Sequence, residues 1–273
     1  MEIKAADVAK LRKMTGAGMM DCKKALIEAE GDYAKAQDII REKGKLVAAK
    51  RADRSATEGV VVSKIVGGKG YMLCLACETD FVAKNSEFSA TANEILEIAV
   101  KADAADLEAL KAVSVEAGRT VADKVTEKSG QTGEKVELVY YAKIEAPMCV
   151  TYIHTNHKLG VLVGFNKEIA METAKDVAMQ AAAMAPVSID KGDCDPKIIE
   201  HERMIGREQA RQEGKPEAML DKIAEGKVNK FLKENTLLNQ DLVKNNKISV
   251  GTYIKEADKD ATVIAYKRFS LND

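Results

Sequence analysis

Gly59-Val-Val-Val-Ser-Lys-Ile-Val-Gly-Gly-Lys-Gly-Tyr-Met-Leu-Cys-Leu-Ala-Cys-Glu78 decides how the rest of the chain is read. Two apolar runs, 59–66 and 71–78, flank Gly67-Gly68-Lys69-Gly70. Glycine tolerates the positive φ of a tight turn, so the stretch predicts a β-hairpin. Before it, apolar residues recur at helical spacing; from it onward, strand-like runs alternate with helical ones. The segment therefore separates an all-helical module from a mixed core, which makes the fold class α+β.

Upstream, Val8 and Leu11 start an apolar face that Thr15-Gly16-Ala17-Gly18 interrupts, and Cys22, Leu26 and Ala29 continue a second one. Gly31 stops that helix, and Asp32 is placed to cap a third containing Tyr33, Ala36, Ile39 and Ile40. Residues 1–55 thus read as three short helices, the arrangement of ubiquitin-associated-like modules, ending in a polar linker. The module carries 13 Lys and Arg against 9 Asp and Glu.

Downstream, helical patterns run from Phe81 to Lys101 and from Leu107 to Lys128. Residues 135–146 then alternate, with Val136, Leu138, Tyr140, Ala142 and Ile144 on one face, which closes a first core unit over 56–146. The order recurs: a hairpin of Cys149–His154 and Leu159–Phe165, a helix over Glu168–Ala185, a helix over Val250–Ala257 and a strand over Ala261–Phe269. The second core unit spans 147–190 and 236–273. Both units read strand, strand, helix, helix, strand, a structural duplication.

The second unit is interrupted by 191–235, where Pro196–Gly214 and Pro216–Glu234 are joined by Gly214-Lys215-Pro216. Gly after one helix and Pro at the start of the next mark a helical hairpin. Leu220, Ile223, Ala224, Val228, Phe231 and Leu232 form an apolar stripe on its second arm. Such a stripe needs cover, from a partner, a second copy of the chain or the chain's own core.

Composition limits the function. Among 273 residues, 42 Lys and Arg face 43 Asp and Glu, a net charge of −1, which argues against a general nucleic-acid or membrane-surface binder. No apolar run approaches the roughly 18 residues of a membrane-spanning helix, and the charged N-terminus does not resemble a secretory signal. Five cysteines, odd in number and scattered, do not form a disulfide framework. A cytoplasmic protein is expected, with no direct nucleic acid and no membrane as partner.

Enzyme motifs fail one by one. There is no phosphate-cradling Gly-x-x-x-x-Gly-Lys-Ser/Thr run. Gly16-Ala-Gly18 lacks a third glycine and follows a helix. His201-Glu202 begins a zinc-protease pattern, but Ile205 stands where the second His is needed, and Asp190, Asp193 and Asp195 are wrongly spaced for a calcium loop. Cys74 and Cys77 with His154 and His157 could supply four zinc ligands. However, strand residues three apart point to opposite faces. With three histidines and no nucleophile beside one, no catalytic residue, cofactor or metal is expected.

Two places are suited to a partner. Met19 and Met20 are adjacent at a helix start. Read as packing, one enters the core and the other covers an edge; read as a docking surface, both form a pliant apolar patch ringed by Arg12 and Lys23. The second place is Glu78-Thr79-Asp80-Phe81-Val82-Ala83-Lys84, where a strand gives way to a helix. There Thr79 or Asp80 caps and Phe81 staples into the core, or the ring and the carboxylate project together as a wedge.

Thr15-Gly-Ala-Gly-Met-Met-Asp-Cys-Lys-Lys-Ala-Leu26 and Cys77-Glu-Thr-Asp-Phe-Val-Ala-Lys-Asn85 closely resemble the two signatures of the elongation factor Ts family. The resemblance continues through Tyr152-Ile-His154, Leu159-Gly-Val-Leu-Val163, Gly214-Lys-Pro216, Glu225-Gly-Lys-Val-Asn-Lys-Phe231 and Val250-Gly251, and covers essentially the whole chain. It implies guanine-nucleotide exchange on elongation factor Tu, the GTPase that delivers aminoacyl-tRNA. By the same resemblance, Arg12, Met19, Met20 and Lys23 contact the GTPase domain. Thr79, Asp80, Phe81 and Val82 are the wedge that disturbs the Mg²⁺ site, and His154 is a contact of the second core unit. The insertion 191–235 matches a coiled-coil hairpin linked to dimerisation in some members, which admits a homodimer. The competing class is an adaptor whose helical module recruits another client without altering nucleotide affinity.

Overall fold

A computed structural model describes residues 3–116 and 118–272. The chain is α+β and forms two compact units, one of Met1–Val62, Met72–Ala142 and Leu271–Asp273, the other of Ser63–Tyr71 and Lys143–Ser270.

The first unit opens with α1 (Ala5–Thr15), α2 (Met19–Glu28) and α3 (Tyr33–Lys50). Gly16, at φ 66°, ends α1 in the left-handed conformation that glycine adopts at least cost. Asp32 caps α3, its carboxylate accepting from the Ala34 and Lys35 amides at 2.8 and 3.1 Å. Val8, Leu11, Cys22, Ala25, Leu26 and Ala36 make the small core of this module. The Tyr33 hydroxyl donates to Asp7 at 3.0 Å, tying α3 to α1.

The hairpin of β1 (Glu58–Val66) and β2 (Lys69–Cys77) turns on Gly67 and Gly68, at φ 57° and 79°. Two successive positive φ values are what a two-residue hairpin turn needs, so Lys69 and Gly70 belong to the strand rather than the turn. Next come α4 (Asp80–Ala83), α5 (Ser86–Ala102), α6 (Leu107–Ala112), α7 (Val121–Thr132) and β3 (Val136–Glu145), and the sheet order is β1-β2-β3. Residues 63–71 and 143–145 of these strands are grouped with the second unit.

The two long helices expected over 81–101 and 107–128 are each broken in two. Asn85 restarts the first, its side-chain oxygen accepting from the Glu87 amide at 2.8 Å. In the second, Val113 turns extended, Ser114 bridges to Thr120, and Gly118 sits at φ 72°. Thr120 and Asp123 then form a reciprocal capping box that starts α7. In β3 the buried residues are Val136, Leu138, Tyr141 and Ile144, while Tyr140 and Ala142 are half-buried. The expected alternation slips where the Tyr141 hydroxyl reaches the Ala104 carbonyl, at 2.9 Å.

In the second unit, β4 (Met148–Ile153) and β5 (Leu159–Phe165) form an antiparallel hairpin, followed by α8 (Met171–Met184), α9 (Pro196–Gln212) and α10 (Glu217–Asn235). A short hairpin of β6 (Asp241–Leu242) and β7 (Asn245–Ser249) precedes α11 (Val250–Ala257) and β8 (Val263–Ser270). β8 returns antiparallel beside β5, so the order β4-β5-β8 repeats the pattern of a hairpin plus a returning third strand. Val161, Val163, Phe165, Ala174, Val177, Ala181, Val250 and Ile254 fill the core between sheet and helices.

The α9–α10 hairpin interrupts this unit. Gly206 on α9 lets the helices approach, since a Cβ there would lie 3.3 Å from the Ala224 Cα. Leu220, Ala224, Val228 and Leu232 are buried by the chain itself, which supplies the cover that the stripe requires. Outward, Met204, Ile205 and Met219 remain exposed.

Candidate partner-binding site

α2 presents the first surface. Cys22, Ala25 and Leu26 point into the module, so the residues between them face solvent. Met19 is 43% exposed and Met20 63%. Neither enters the core, which overturns the packing reading for this pair. Met20, Lys23, Lys24 and Ile27 follow the i, i+3, i+4, i+7 spacing of one helix face, and Ile27 is 57% exposed. Arg12 and Lys23 are exposed on α1 and α2. The result is an exposed face on which two lysines separate Met20 from Ile27. Ile27 extends it one turn beyond the residues singled out from sequence, and its spacing from Met20 was the available signal.

The Thr79 turn presents the second surface. Among Thr79, Asp80, Phe81 and Val82, three are half-buried and Phe81 is 84% exposed. Phe81 is therefore no staple. α4 is a single turn, the chain restarts at Asn85, and Phe88 takes the core position, 1% exposed. Thr79 rather than Asp80 caps the turn, its hydroxyl oxygen accepting from the Val82 amide at 3.4 Å. The Asp80 carboxylate accepts from the Lys84 ammonium at 2.6 Å, a bond that holds the Asp80 acid below the usual carboxylate range.

Beneath the ring the turn is anchored by groups distant in sequence. The Glu134 carboxylate accepts from the Glu78 amide at 3.2 Å, the Thr79 amide at 3.0 Å and the Thr79 hydroxyl at 2.6 Å. The Glu78 carboxylate accepts from the Lys135 amide at 2.6 Å and from Arg51 Nη1 at 3.0 Å. The Cys77 thiol donates to the Thr79 carbonyl at 3.3 Å. Sequence reading missed Glu134, whose partners lie more than fifty residues away.

His154 belongs to the second unit, on the exposed loop that joins β4 to β5. Its amide donates to the Leu159 carbonyl at 2.9 Å, and its ring Nδ1 lies 3.0 Å from the Tyr152 hydroxyl. His157, at φ 56°, closes the loop by donating its amide to the His154 carbonyl at 2.8 Å.

Cys74 and Cys77 are wholly buried. Burial pushes both thiols up, Cys77 to about 12, so both hold their protons at neutral pH. Among the described residues no group of three or more His, Cys, Asp and Glu side chains could hold a metal ion. Among the same residues no helix is long and apolar enough to cross a membrane.

Known proteins match the chain over essentially its whole length. The family model described as Elongation factor TS matches residues 78–273. A curated relative named Elongation factor Ts from Porphyromonas gingivalis is 47% identical over 272 residues, covering 100% of this chain and 99% of its own. Relatives of the same name from Christiangramia forsetii and Cytophaga hutchinsonii are each 48% identical, covering 99% of both chains.

Proposed function

The chain belongs to the elongation factor Ts family of translation elongation factors, and on that premise we propose that it is the guanine-nucleotide exchange factor of elongation factor Tu. It binds the GDP-bound GTPase, disturbs the Mg²⁺ and phosphate site, and promotes GDP release. The observation that carries the reading is the 84% exposed Phe81 ring on a turn anchored from below.

The physics needs no catalytic group. A GTPase holds GDP through Mg²⁺ and its phosphate-binding loop. A partner that prefers the opened arrangement must weaken GDP by the factor by which GDP weakens the partner, because linkage is reciprocal. Each tenfold loosening requires about 1.4 kcal/mol of differential binding. Burying one Phe side chain yields about 1.5–3 kcal/mol, enough for roughly ten- to a hundredfold. The Asp80 carboxylate beside the ring supplies an acceptor that competes for donors or cations around the phosphates.

Arg12, Met19, Met20 and Lys23 dock on the GTPase domain, with Met side chains moulding to the partner surface and the cations steering the approach. His154 makes a separate contact from the second unit. GTP then replaces GDP by mass action, and the factor is released to act again. A homodimer through 191–235 would use Met204, Ile205 and Met219, which face outward on the helical hairpin, and sedimentation over a range of concentrations tests it. The exchange reading is tested by release of a fluorescent GDP analogue from elongation factor Tu with substoichiometric factor. Acceleration with turnover is expected, and binding without acceleration would leave an adaptor.

A further inference from the structure

Glu78 and Glu134 exchange backbone donors. The carboxylate of Glu134 takes the amides of Glu78 and Thr79, and the carboxylate of Glu78 takes the amide of Lys135. This reciprocal clasp joins the end of β2 to the residues just before β3. Its Glu134 half also holds the Thr79 hydroxyl, at 2.6 Å. We infer that Glu134 is a positioning residue for nucleotide exchange, aiming the Phe81 ring by fixing the Thr79 turn; the inference rests on the exchange reading above.

Phe81 is bare, so no neighbouring side chain directs it, and the backbone of the turn sets where its Cα–Cβ bond points. α4 has four residues, too few for a helix to hold itself in water. Its shape therefore depends on Thr79, where the chain leaves β2. All three polar groups of Thr79 that could swing the turn are taken: the amide and hydroxyl by Glu134, the carbonyl by the Cys77 thiol. The Thr79 hydroxyl oxygen also accepts from the Val82 amide, so the hold passes across Phe81 to the far side of the turn. Two of these bonds go to an ionised carboxylate, and such bonds are the stronger kind. The backbone at Glu134 is held in turn: α7 ends at Gly133 immediately before it, and the Glu134 amide donates to the Thr132 hydroxyl at 3.3 Å. A ring aimed in advance enters the partner without first losing the freedom of a loose turn, the advantage of preorganisation.

The rival account is that Glu134 only joins two strand ends, and it makes a different prediction about coupling to Phe81. GDP release from elongation factor Tu is measured with the full-length protein, Phe81→Ala, Glu134→Ala, Glu134→Gln and the Phe81→Ala/Glu134→Ala double variant. Glu134→Ala is expected to slow exchange about tenfold. Glu134→Gln keeps most of the rate, because an amide oxygen can accept both backbone donors and the Thr79 hydroxyl can rotate. Once Phe81 is gone, Glu134→Ala has only the Asp80 carboxylate left to place and adds much less than its tenfold loss in the parent. An equal loss in both backgrounds would overturn the inference in favour of a purely structural role. Normal exchange by Glu134→Ala, with Phe81→Ala slow, would overturn it and leave the wedge standing. Normal exchange by Phe81→Ala would remove the wedge reading and the inference with it. If Glu134→Ala does not fold, Thr79→Val, which removes both the hydroxyl bond to Glu134 and the cap on the Val82 amide, takes its place in the same cycle.

Discussion

Gly130 on α7 passes so close to Gly44 on α3 that a Cβ added at Gly130 would lie 2.5 Å from the Gly44 Cα. The crossing is asymmetric: a Cβ at Gly44 would meet the Gly130 Cα at an ordinary 3.6 Å. It packs the long third helix of the N-terminal module against a helix of the first core unit. Gly130→Ala must push the two helices apart and is expected to cost about 1–3 kcal/mol. Gly44→Ala fits, removes a flexible residue from a helix interior and is expected to be neutral or to gain up to about 1 kcal/mol. Urea unfolding of the two variants checks the asymmetry, and equal losses would contradict the packing described.

The α2 face separates binding from folding. Met20 and Ile27 are exposed, so Met20→Ala and Ile27→Ala should leave stability within about 0.5 kcal/mol of the parent. Each is expected to weaken binding to elongation factor Tu by about tenfold, the loss typical of an apolar anchor in an interface. Calorimetric titration reads the affinity and thermal unfolding reads the fold. An Ile27→Ala variant that binds normally would confine the contact to the first turn of α2.

A buried acid pins the β6–β7 hairpin to α8. Asp176 is 5% exposed and accepts from the Lys244 ammonium and the Tyr253 hydroxyl, each at 2.8 Å. One helical turn on, Gln180 accepts from the Val243 amide at 2.8 Å. Asp176→Ala is expected to cost about 1–3 kcal/mol, since it strips two donors of a charged partner. Lys244→Met leaves the acid buried without its cation, and faster hydrogen exchange of the Val243 amide reports the loosened hairpin. Unchanged exchange there would show that Gln180 alone holds it.

The CxxC pair sets an alkaline limit. In the native state burial raises both thiols above their ordinary value of 9.0, Cys77 to about 12. Above about pH 9 the unfolded chain gives up these protons while the folded one keeps them, so stability falls as pH rises. The fall extends through about pH 12 for Cys77, and below about pH 9 these thiols contribute no slope. A Cys74→Ala/Cys77→Ala variant should lose less of its urea midpoint than the parent between about pH 8 and pH 10.5. Equal losses would assign the slope to other groups.

Local chemistry that acts over a few residues was legible in the sequence. Gly67-Gly68 reads as a hairpin turn because glycine carries the positive φ that the turn requires, and Gly214-Lys215-Pro216 reads as a helix stop and start. The break between α6 and α7 was legible too, in the Thr120-Val-Ala-Asp123 capping box, but the apolar spacing of Leu107 to Lys128 masked it. The β6–β7 hairpin is too short to show a period. Phe81 beside a capping Thr fits a staple as well as a wedge, and only the burial of Phe88 in its stead decides between them. The hold of Glu134 on Thr79 spans 55 positions and depends on tertiary packing that no local pattern encodes.

The central claim is that an exposed ring, held from below, opens the nucleotide site of a partner. Its most direct test is release of a fluorescent GDP analogue from elongation factor Tu driven by Phe81→Ala, with melting measured alongside. Loss of an exposed ring should leave the melting temperature almost unchanged, while release slows by roughly ten- to a hundredfold. Normal release by a variant that melts early would contradict the account, for Phe81 would then serve the fold and not the exchange.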